Sequence, residues 1–455
     1  MDNNADNPPI FGLSSGIGGA VAIIRCSGPA SLDIAQKIFL TPSRKVKHRF
    51  VSHVMNYGFL WDDERSTILD EVYLIYFEAG RSYTGEELVE YHCHGSNAII
   101  QRLSHILVSL GAIPASPGEF TRRAFFNGRI GLSQAEAVQE LVEADSLQQA
   151  SIAINNVSGG LKSKIITLRE QLVDCAAHLE ATLDYPEEDI DFIDQSSLIQ
   201  SVNSISSVVT EIYENYDRYQ LVRDGIQVAI LGPPNAGKSS LLNALLKKDR
   251  AIVTDIAGTT RDHIEESLNI RGFKFNLVDT AGIRTTDNKI EKIGIERALE
   301  FQRNSTLKIF LYDCSEPIAL RDSDDRTLHV LNKSDLSMHK QNKILMEDSR
   351  VIKISALTFD GIPQLQDWMV HQAQQNFSNS NTSELPMLTS IRQRDCMQKA
   401  SDSLRLFCES LNRGIPMDIA LVELYEAMDF LGQVTGKIIT EDIVDRIFEK
   451  FCIGK

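Results

Sequence analysis

The chain is 455 residues long, with 43% hydrophobic and 24% charged residues and a formal net charge of −16 at pH 7. This length predicts about three domains rather than a single core, and the composition excludes a disordered or fibrous protein. The negative charge excludes RNA binding through bulk electrostatics, so any RNA contact would have to be local or shared with a partner.

Seven cysteines without paired spacing indicate reduced thiols, and the first residues are acidic and lack an apolar segment. No run of about 18 apolar residues occurs in the sequence. We therefore expect a cytoplasmic protein without a membrane partner.

Residues 1–125 are predicted to form an α+β domain. Their β-rich runs AVAIIRCSG and EVYLIYF are separated by turns, and NAIIQRLSHILVSLG has helical periodicity. From residue 126 to 222 the pattern becomes helical, with apolar residues at steps of three and four from Leu161 to Leu183 until Pro186 ends it. This spacing predicts the first part of a helical bundle.

Residues 223–376 alternate strands with helices, which is the α/β signature of a parallel sheet. The predicted strands are IQVAIL, FNLVDT, KIFLYD, LHVLNKSD and VIKISAL. The polar linker NFSNSNTSELP follows, and residues 377–455 return to helical periodicity, with Thr440 as a helix N-cap. The predicted fold is multidomain, α/β and α, with a P-loop domain inserted into a helical domain.

A phosphate-binding loop is predicted at GPPNAGKS, residues 232–239, between a strand and a helix. Backbone N–H groups and the helix N-terminus would hold the phosphates, while Lys238 reaches the outer ones as a catalytic group and Ser239 ligates Mg²⁺. The residues of this part of the site are Asn235, Ala236, Gly237, Lys238, Ser239 and Ser240.

Two further motifs identify the nucleotide as GTP. DTAG, formed by Asp279, Thr280, Ala281 and Gly282, would hold the metal's water and detect the γ-phosphate. In NKSD, the Asp335 carboxylate can accept hydrogen bonds from guanine N1 and N2, which adenine cannot offer. The predicted base pocket consists of Asn332, Lys333, Asp335, Ser355, Ala356 and Leu357.

The means of activating water is not evident from these motifs. Ile283 follows DTAG where small signalling GTPases have glutamine, and no arginine finger is apparent. The run TDIAGTTRD, with Asn235, could coordinate a monovalent cation beside the phosphates. An ordinary switch loop with Thr260 on Mg²⁺ is compatible with the same residues.

The order of these motifs, ending in FCIGK, resembles the MnmE (TrmE) family of tRNA-modifying GTPases over the whole chain. The resemblance implies a K⁺-activated homodimer that modifies the wobble uridine of certain tRNAs at C5. It implies an FAD-dependent partner, MnmG, in a heterotetramer, with FAD bound only through that partner. The implied one-carbon donor is 5,10-methylenetetrahydrofolate or a related tetrahydrofolate, bound by the N-terminal domain, which also dimerises.

By position, the resemblance assigns K⁺ to Asn235, Thr254, Ile256 and Thr259, and Mg²⁺ to Ser239 and Thr260. The rest of the GTP-binding switch loop would be Asp255, Ala257 and Gly258. Glu291 would orient the attacking water, and the folate residues would be Arg25, Glu90, Arg129 and Lys455. Arg129 stands where the family usually has lysine, and Ile17 stands in a turn where it has arginine.

The terminal FCIGK is read as a docked element of the folate pocket rather than a prenylation box, whose pattern Gly454 and Lys455 do not fit. Cys452 is either a catalytic nucleophile or a neighbour of that pocket. The histidines of HCH, His92 and His94, are expected in a pocket wall or core rather than in a metal site. The pair Arg122 and Arg123 is the candidate for RNA or partner contact.

Two other classes of GTPase share the nucleotide motifs. A GTP-switched ribosome-assembly factor would need a basic RNA-binding module, and a membrane-remodelling GTPase would need a lipid-binding stretch. Neither was found in the sequence.

Overall fold

The computed structural model describes residues 8–16, 18–184, 195–249, 265–279, 305–320, 324–378, 386–437, 441–449, 451 and 454. The chain forms two compact units. The first contains Met1–Gln139, Asn156–Ser206 and Asp395–Lys455, and the second contains Glu140–Asn155 and Ser207–Arg394. Within the described residues, no helix has the length and apolar character needed to cross a membrane.

The first unit contains a seven-stranded sheet with the order β3-β4-β5-β6-β2-β1-β7. Its strands are β1 (Ile10–Leu13), β2 (Val21–Ser27), β3 (Phe39–Leu40), β4 (Met55–Asp62), β5 (Thr67–Phe77), β6 (Leu88–His94) and β7 (Ile113–Pro114). All neighbours are antiparallel except β1 and β7. The two predicted strands in this region are confirmed as β2 and β5.

One face of this sheet is buried under the helices α1 (Ser31–Ile38) and α2 (Asn97–Ser109). Alternation along β2 buries Ala22, Ile24 and Cys26, because successive side chains of a strand point to opposite faces. Leu103 and Leu107 are buried four residues apart on α2, the helix predicted from the sequence. The other sheet face carries Arg25 and Glu90.

The remaining helices that begin before residue 225 are α3 (Glu119–Phe126), α4 (Leu132–Val142), α5 (Leu147–Val157), α6 (Gly160–Asp184) and α7 (Gln195–Asp224). The predicted apolar stripe lies on α6, where Leu161, Ile165, Leu168, Leu172 and Leu179 are buried. Its last member, Leu183, is largely exposed. Three helices end the chain: α10 (Ile391–Asn412), α11 (Met417–Thr435) and α12 (Glu441–Phe448). Helix α6 packs against α11. Pro186 and Thr440 lie outside the described residues.

The second unit is built on a six-stranded sheet with the order β13-β12-β11-β8-β10-β9. These strands are β8 (Ile226–Leu231), β9 (Glu265–Ile270), β10 (Phe273–Asp279), β11 (Leu307–Asp313), β12 (Thr327–Asn332) and β13 (Val351–Lys353). Five are mutually parallel, and β9 is an antiparallel edge strand. All five predicted strands are thus confirmed.

Helices α8 (Lys238–Asp249) and α9 (Ile362–Ser378) and a 3₁₀ helix (Lys340–Glu347) accompany this sheet. The central strands are apolar on both faces because helices cover a parallel sheet on both sides. Strand β12 is buried at every position, and Leu241 and Leu365 from the two helices join the same core. The carboxyl ends of parallel strands therefore meet at one edge, where ligands of α/β proteins usually bind.

Candidate functional site

The phosphate-binding loop has the strand–loop–helix setting that the sequence predicts. Strand β8 ends at Leu231, and α8 begins at Lys238. Two loop residues have left-handed backbone conformations, with φ of +63° at Asn235 and +95° at Gly237. This curvature, together with the helix N-terminus, forms a backbone cradle suited to a polyphosphate.

The Lys238 side chain is buried within this loop. Its Nζ donates hydrogen bonds to the carbonyl oxygens of Gly232 and Pro233, both at 2.9 Å. The ammonium is thereby fixed inside the curve of the loop instead of extending into solvent. A positive charge in this position can neutralise the outer phosphates of a nucleotide.

Asn332, at the end of β12, joins the phosphate loop to the predicted base pocket. Its Nδ2 donates to the Ala236 carbonyl at 2.8 Å, and its Oδ1 accepts from the Ala356 N–H at 3.0 Å. A methyl group on Gly237 would lie 2.3 Å from Asn332 Nδ2, so only glycine fits there. The buried amide of Asn332 thus fixes two binding loops relative to each other.

The Asp335 carboxylate is exposed at the same sheet edge, and a neighbouring hydroxyl orients it. Ser355 Oγ donates to Asp335 Oδ1 at 2.6 Å, and Ser355 Oγ in turn accepts from the Thr358 N–H at 3.1 Å. Ser355 contacts only one of the two oxygens of the Asp335 carboxylate. The carboxylate can still accept two parallel N–H donors. This is the acceptor pattern that guanine requires.

Lys333, beside this pocket, is held by a carboxylate that the sequence motif does not include. Its Nζ lies 2.6 Å from Asp313 Oδ2, at the end of β11. Burial acts to raise the pKa of Asp313, but hydrogen bonds from Lys333 and Ser315 outweigh it and hold this pKa below its usual value. Asp313 precedes Lys333 by 20 residues, so the spacing alone did not identify it.

Several predicted nucleotide residues lie outside the described residues, namely Thr254, Asp255, Ile256, Ala257, Gly258, Thr259, Thr260, Thr280, Ala281, Gly282 and Glu291. Asp279 is the last residue of β10 and is in register with Ile230 of β8. The DTAG motif therefore begins at the carboxyl end of the strand next to the phosphate loop. Ser239, Ser240 and Leu357 are exposed at this edge.

Two of the predicted folate residues form an ion pair in the first unit. Arg25 of β2 and Glu90 of β6 are cross-strand partners, with Arg25 Nη2 at 2.8 Å from Glu90 Oε1. The Arg25 guanidinium lies over the rings of Tyr83 and Phe120, at 5.5 and 5.8 Å from their centroids. Neither aromatic was identified from the sequence, since their distance along the chain from Arg25 gives no signal.

Glu90 also contacts His92, whose Nε2 lies 3.3 Å from Glu90 Oε2. Burial acts to raise the pKa of Glu90, yet the hydrogen bonds from His92 and Arg25 hold it below its ordinary value. The carboxylate is therefore kept ionised and ready to accept hydrogen bonds. His94, two residues further along, instead pairs with Asp70 at 2.7 Å.

The chain end is docked beside these strands. Ser14 Oγ donates to the Gly454 carbonyl at 3.1 Å, and Gly454 has a φ of +96°. The Gly454 Cα lies 3.3 Å from the position of a Cβ on Gly12, the strand partner of Arg25. Cys452, Lys455 and Ile17 lie outside the described residues, and Arg129 is exposed next to Gly85.

The described residues contain no cluster of three or more His, Cys, Asp or Glu side chains that could hold a metal ion. The arginine pair predicted to contact RNA is engaged within the protein. Arg123 is buried and pairs with Glu86 and Glu119, and Arg122 pairs with Asp445 at 2.9 Å.

Comparison with known protein families accounts for almost the entire chain. Residues 9–129 match the model of the GTP-binding protein TrmE N-terminus, and residues 132–452 match the model of the MnmE helical domain. The chain belongs to the MnmE family of tRNA modification GTPases. This confirms the family resemblance found in the sequence.

Curated members of the MnmE family agree with this assignment. The tRNA modification GTPases MnmE of Clostridioides difficile and Aquifex aeolicus are each 39% identical to the chain, over 447 and 456 residues. These alignments cover 96% of both chains in the first case, and 98% of this chain and 99% of the relative in the second. The MnmE of Thermotoga maritima is 37% identical over 449 residues, covering 96% and 97%.

Proposed function

We propose that the chain is a guanine-specific GTPase that modifies the wobble uridine of certain tRNAs at C5, together with the FAD-dependent partner MnmG. Hydrolysis of GTP in tRNA modification is the activity of the family to which it belongs. One observation carries the nucleotide assignment. Asn332 fixes the Lys238 loop beside a carboxylate, Asp335, that can accept two N–H donors.

Deleting the gene should abolish a C5 modification of wobble uridine, because the proposed reaction is the one that adds the group at C5. Nucleosides from total tRNA of the deletion strain and its parent would be compared by mass spectrometry. Complementation with the intact gene should restore the modification, while complementation with a Lys238→Ala variant should not. Unchanged wobble uridine together with stalled ribosome assembly would contradict the proposal and favour an assembly factor.

We infer that the six-stranded sheet and its helices form a Ras-like G domain inserted into the helical domain. The order of the motifs along the chain and the meeting of the β8, β10 and β12 ends at one edge support this inference. The helical pieces before and after it, at 126–222 and 377–455, would then make up one domain. GTP hydrolysis would move these helical pieces rather than donate phosphate to RNA.

Two cations are proposed at the nucleotide. Mg²⁺ would be bound by Ser239 and Thr260, and its charge would offset that developing on the phosphates. K⁺ would be bound by Asn235, Thr254, Ile256 and Thr259. Asn235 is exposed on the left-handed turn of the phosphate loop, which leaves its amide oxygen accessible to an ion beside the phosphates. Glu291 would orient the attacking water.

A homodimer is proposed through the open face of the seven-stranded sheet. Four large apolar side chains on that face are 41–57% exposed: Val21, Met55, Tyr57 and Tyr73. Tyr57 and Tyr73 are cross-strand partners with ring centroids 5.7 Å apart, so they form a contiguous patch. Contiguous apolar patches of this kind usually bind another protein surface, here a second copy of the chain.

Tetrahydrofolate is proposed to bind on the same sheet face, at the Arg25–Glu90 ion pair. A carboxylate can accept the paired N–H groups of a pterin, and cations suit its glutamate tail. Arg129 and Lys455 would contribute such cations. The position of Gly454 supports this location, since it lies beside β1, the strand next to Arg25.

Glu90→Gln should weaken tetrahydrofolate binding by roughly tenfold or more, because a hydrogen bond to a charged acceptor contributes about 1.5–3 kcal/mol. Titration calorimetry of the full-length protein would measure the dissociation constant. Glu71→Gln is the matched control, since Glu71 is an exposed carboxylate on the neighbouring strand β5. Equal affinities for wild type and Glu90→Gln would refute the pterin assignment.

A further inference from the structure

The sequence RKVKHR, residues 44–49, carries five basic residues in six positions in a chain whose net charge is −16. We call this segment the basic loop. It follows β3, the edge strand of the seven-stranded sheet, and most of its side chains are exposed. Such a local concentration of cations in an acidic protein suits a polyanionic partner.

The cations of the basic loop have no carboxylate partner among the described residues, unlike most other arginines of the first unit. In contrast, eight arginines of that unit are ion-paired: Arg25, Arg65, Arg81, Arg102, Arg122, Arg123, Arg405 and Arg413. Arg44, Lys45 and Arg49 form no salt bridge with a described residue. Their charge is therefore not offset within the fold and is directed to solvent.

The loop is held in one conformation by backbone contacts. Leu40 and Val46 form a β-bridge across it, and the Thr41 N–H donates to the Lys45 carbonyl at 2.8 Å. Arg44 has a φ of +59°, which turns the chain tightly at that point. Lys47 is fixed by a hydrogen bond to Asn56 Oδ1 at 2.6 Å. This order lowers the entropic cost of binding.

A cavity of about 700 Å³ opens beside the loop, lined by Lys37, Arg44, Val46 and Trp61 among others. An aromatic ring next to cations can stack on an RNA base while the cations hold phosphates. On the other side of Trp61, Asp62 and Glu64 both pair with Arg102, and Trp61 Nε1 donates to Asp63 Oδ1 at 3.4 Å.

We propose that the basic loop and Trp61 bind the phosphate backbone and a base of the RNA substrate. This inference rests on the proposed function, which supplies tRNA as the polyanion. An acidic protein surface would fit the same charges, and the test below distinguishes it from RNA. The loop also lies in a domain where Arg122 and Arg123 are already engaged by carboxylates, so it is the better candidate for RNA contact.

The test compares full-length wild type with the triple variant Arg44→Gln, Lys45→Gln, Arg49→Gln, which leaves Lys47 intact. Binding of an unmodified tRNA transcript with a wobble uridine is measured by fluorescence anisotropy from ~50 to ~200 mM KCl. We expect the dissociation constant to rise roughly tenfold or more, and the slope of log affinity against log salt to fall in magnitude by about 2 to 3.

The matched control is Arg65→Gln, Arg81→Gln, Arg413→Gln, which removes the same charge from exposed, carboxylate-paired positions. It should bind tRNA as the wild type does, and both variants should keep wild-type GTP turnover without RNA. A triple variant in the loop that binds tRNA with wild-type affinity and salt slope overturns the inference. The inference would also be overturned if the loop variant bound tRNA as the wild type does but no longer bound MnmG or no longer formed the homodimer. That outcome would indicate a protein interface.

A second measurement leaves the sequence of the basic loop unchanged. The chain has two tryptophans, so Trp368→Phe leaves Trp61 as the sole tryptophan, which can be excited selectively over tyrosine. Adding the transcript should quench or shift Trp61 emission, and unchanged emission at saturating RNA would contradict the inference. If wild type hydrolyses GTP but binds no tRNA, the proposed function itself fails, which is distinct from failure of the loop assignment.

Discussion

Asp335→Asn is expected to reduce affinity for GTP by at least about 10²-fold and to create affinity for xanthosine triphosphate. The carboxylate accepts from guanine N1 and N2, and two hydrogen bonds to a charged group contribute roughly 3 kcal/mol or more. Xanthine has a carbonyl in place of the 2-amino group, so an asparagine can donate to it while still accepting from N1. The amide should retain the Ser355 contact seen at 2.6 Å.

Dissociation constants of both nucleotides would be measured by competition with a fluorescent GDP analogue. Asp360→Asn is the control, because Asp360 is an exposed carboxylate in the same loop region, where it accepts from Thr358 Oγ1 at 2.8 Å. That variant should keep the wild-type preference for GTP. If the Asp335→Asn variant still prefers GTP to xanthosine triphosphate, Asp335 does not recognise the base.

Potassium should raise GTP turnover above that in sodium by roughly tenfold or more, and this preference should disappear in Asn235→Ala. A cation in the site would stabilise charge that develops on the phosphates in the transition state, where removal of one stabilising donor typically costs about 10²-fold or more in rate. Turnover would be measured under saturating GTP in KCl and in NaCl at equal ionic strength, with light scattering to follow dimer formation.

The backbone at Asn235 requires a second variant. Its φ of +63° is tolerated by asparagine and glycine but is strained for alanine. Asn235→Gly removes the amide oxygen without that strain, so it should lose the potassium preference while binding GDP as the wild type does. If Asn235→Gly keeps the preference, Asn235 is not a potassium ligand.

The strand–loop–helix setting of the proposed nucleotide site could be predicted from the sequence because its residues are local. The residues of GPPNAGKS are contiguous, and the flanking strand and helix follow from hydrophobic pattern. The Asn332 bridge between Ala236 and Ala356 joins three segments, but each segment is marked by its own motif. Motif order along the chain therefore sufficed to predict that they meet at one sheet edge.

Contacts between distant segments were less accessible to sequence reasoning. Tyr83 and Phe120 lie over Arg25 only because the sheet and α3 fold together, and no spacing rule relates them. Arg122 and Arg123 look like solvated cations in sequence, whereas the structure places carboxylates beside both. The basic loop was not identified from the sequence, and its lack of carboxylate partners among the described residues became evident only from the fold. The roles proposed for Glu291 and, as potassium ligands, for Thr254, Ile256 and Thr259 rest on family resemblance.

Titration calorimetry of purified full-length protein with GDP and with ADP tests the central claim most directly. We expect GDP to bind at least about 10³-fold more tightly than ADP, since adenine would leave the Asp335 carboxylate without its N–H donors. Equal affinity for the two nucleotides, or no binding of GDP, would contradict it.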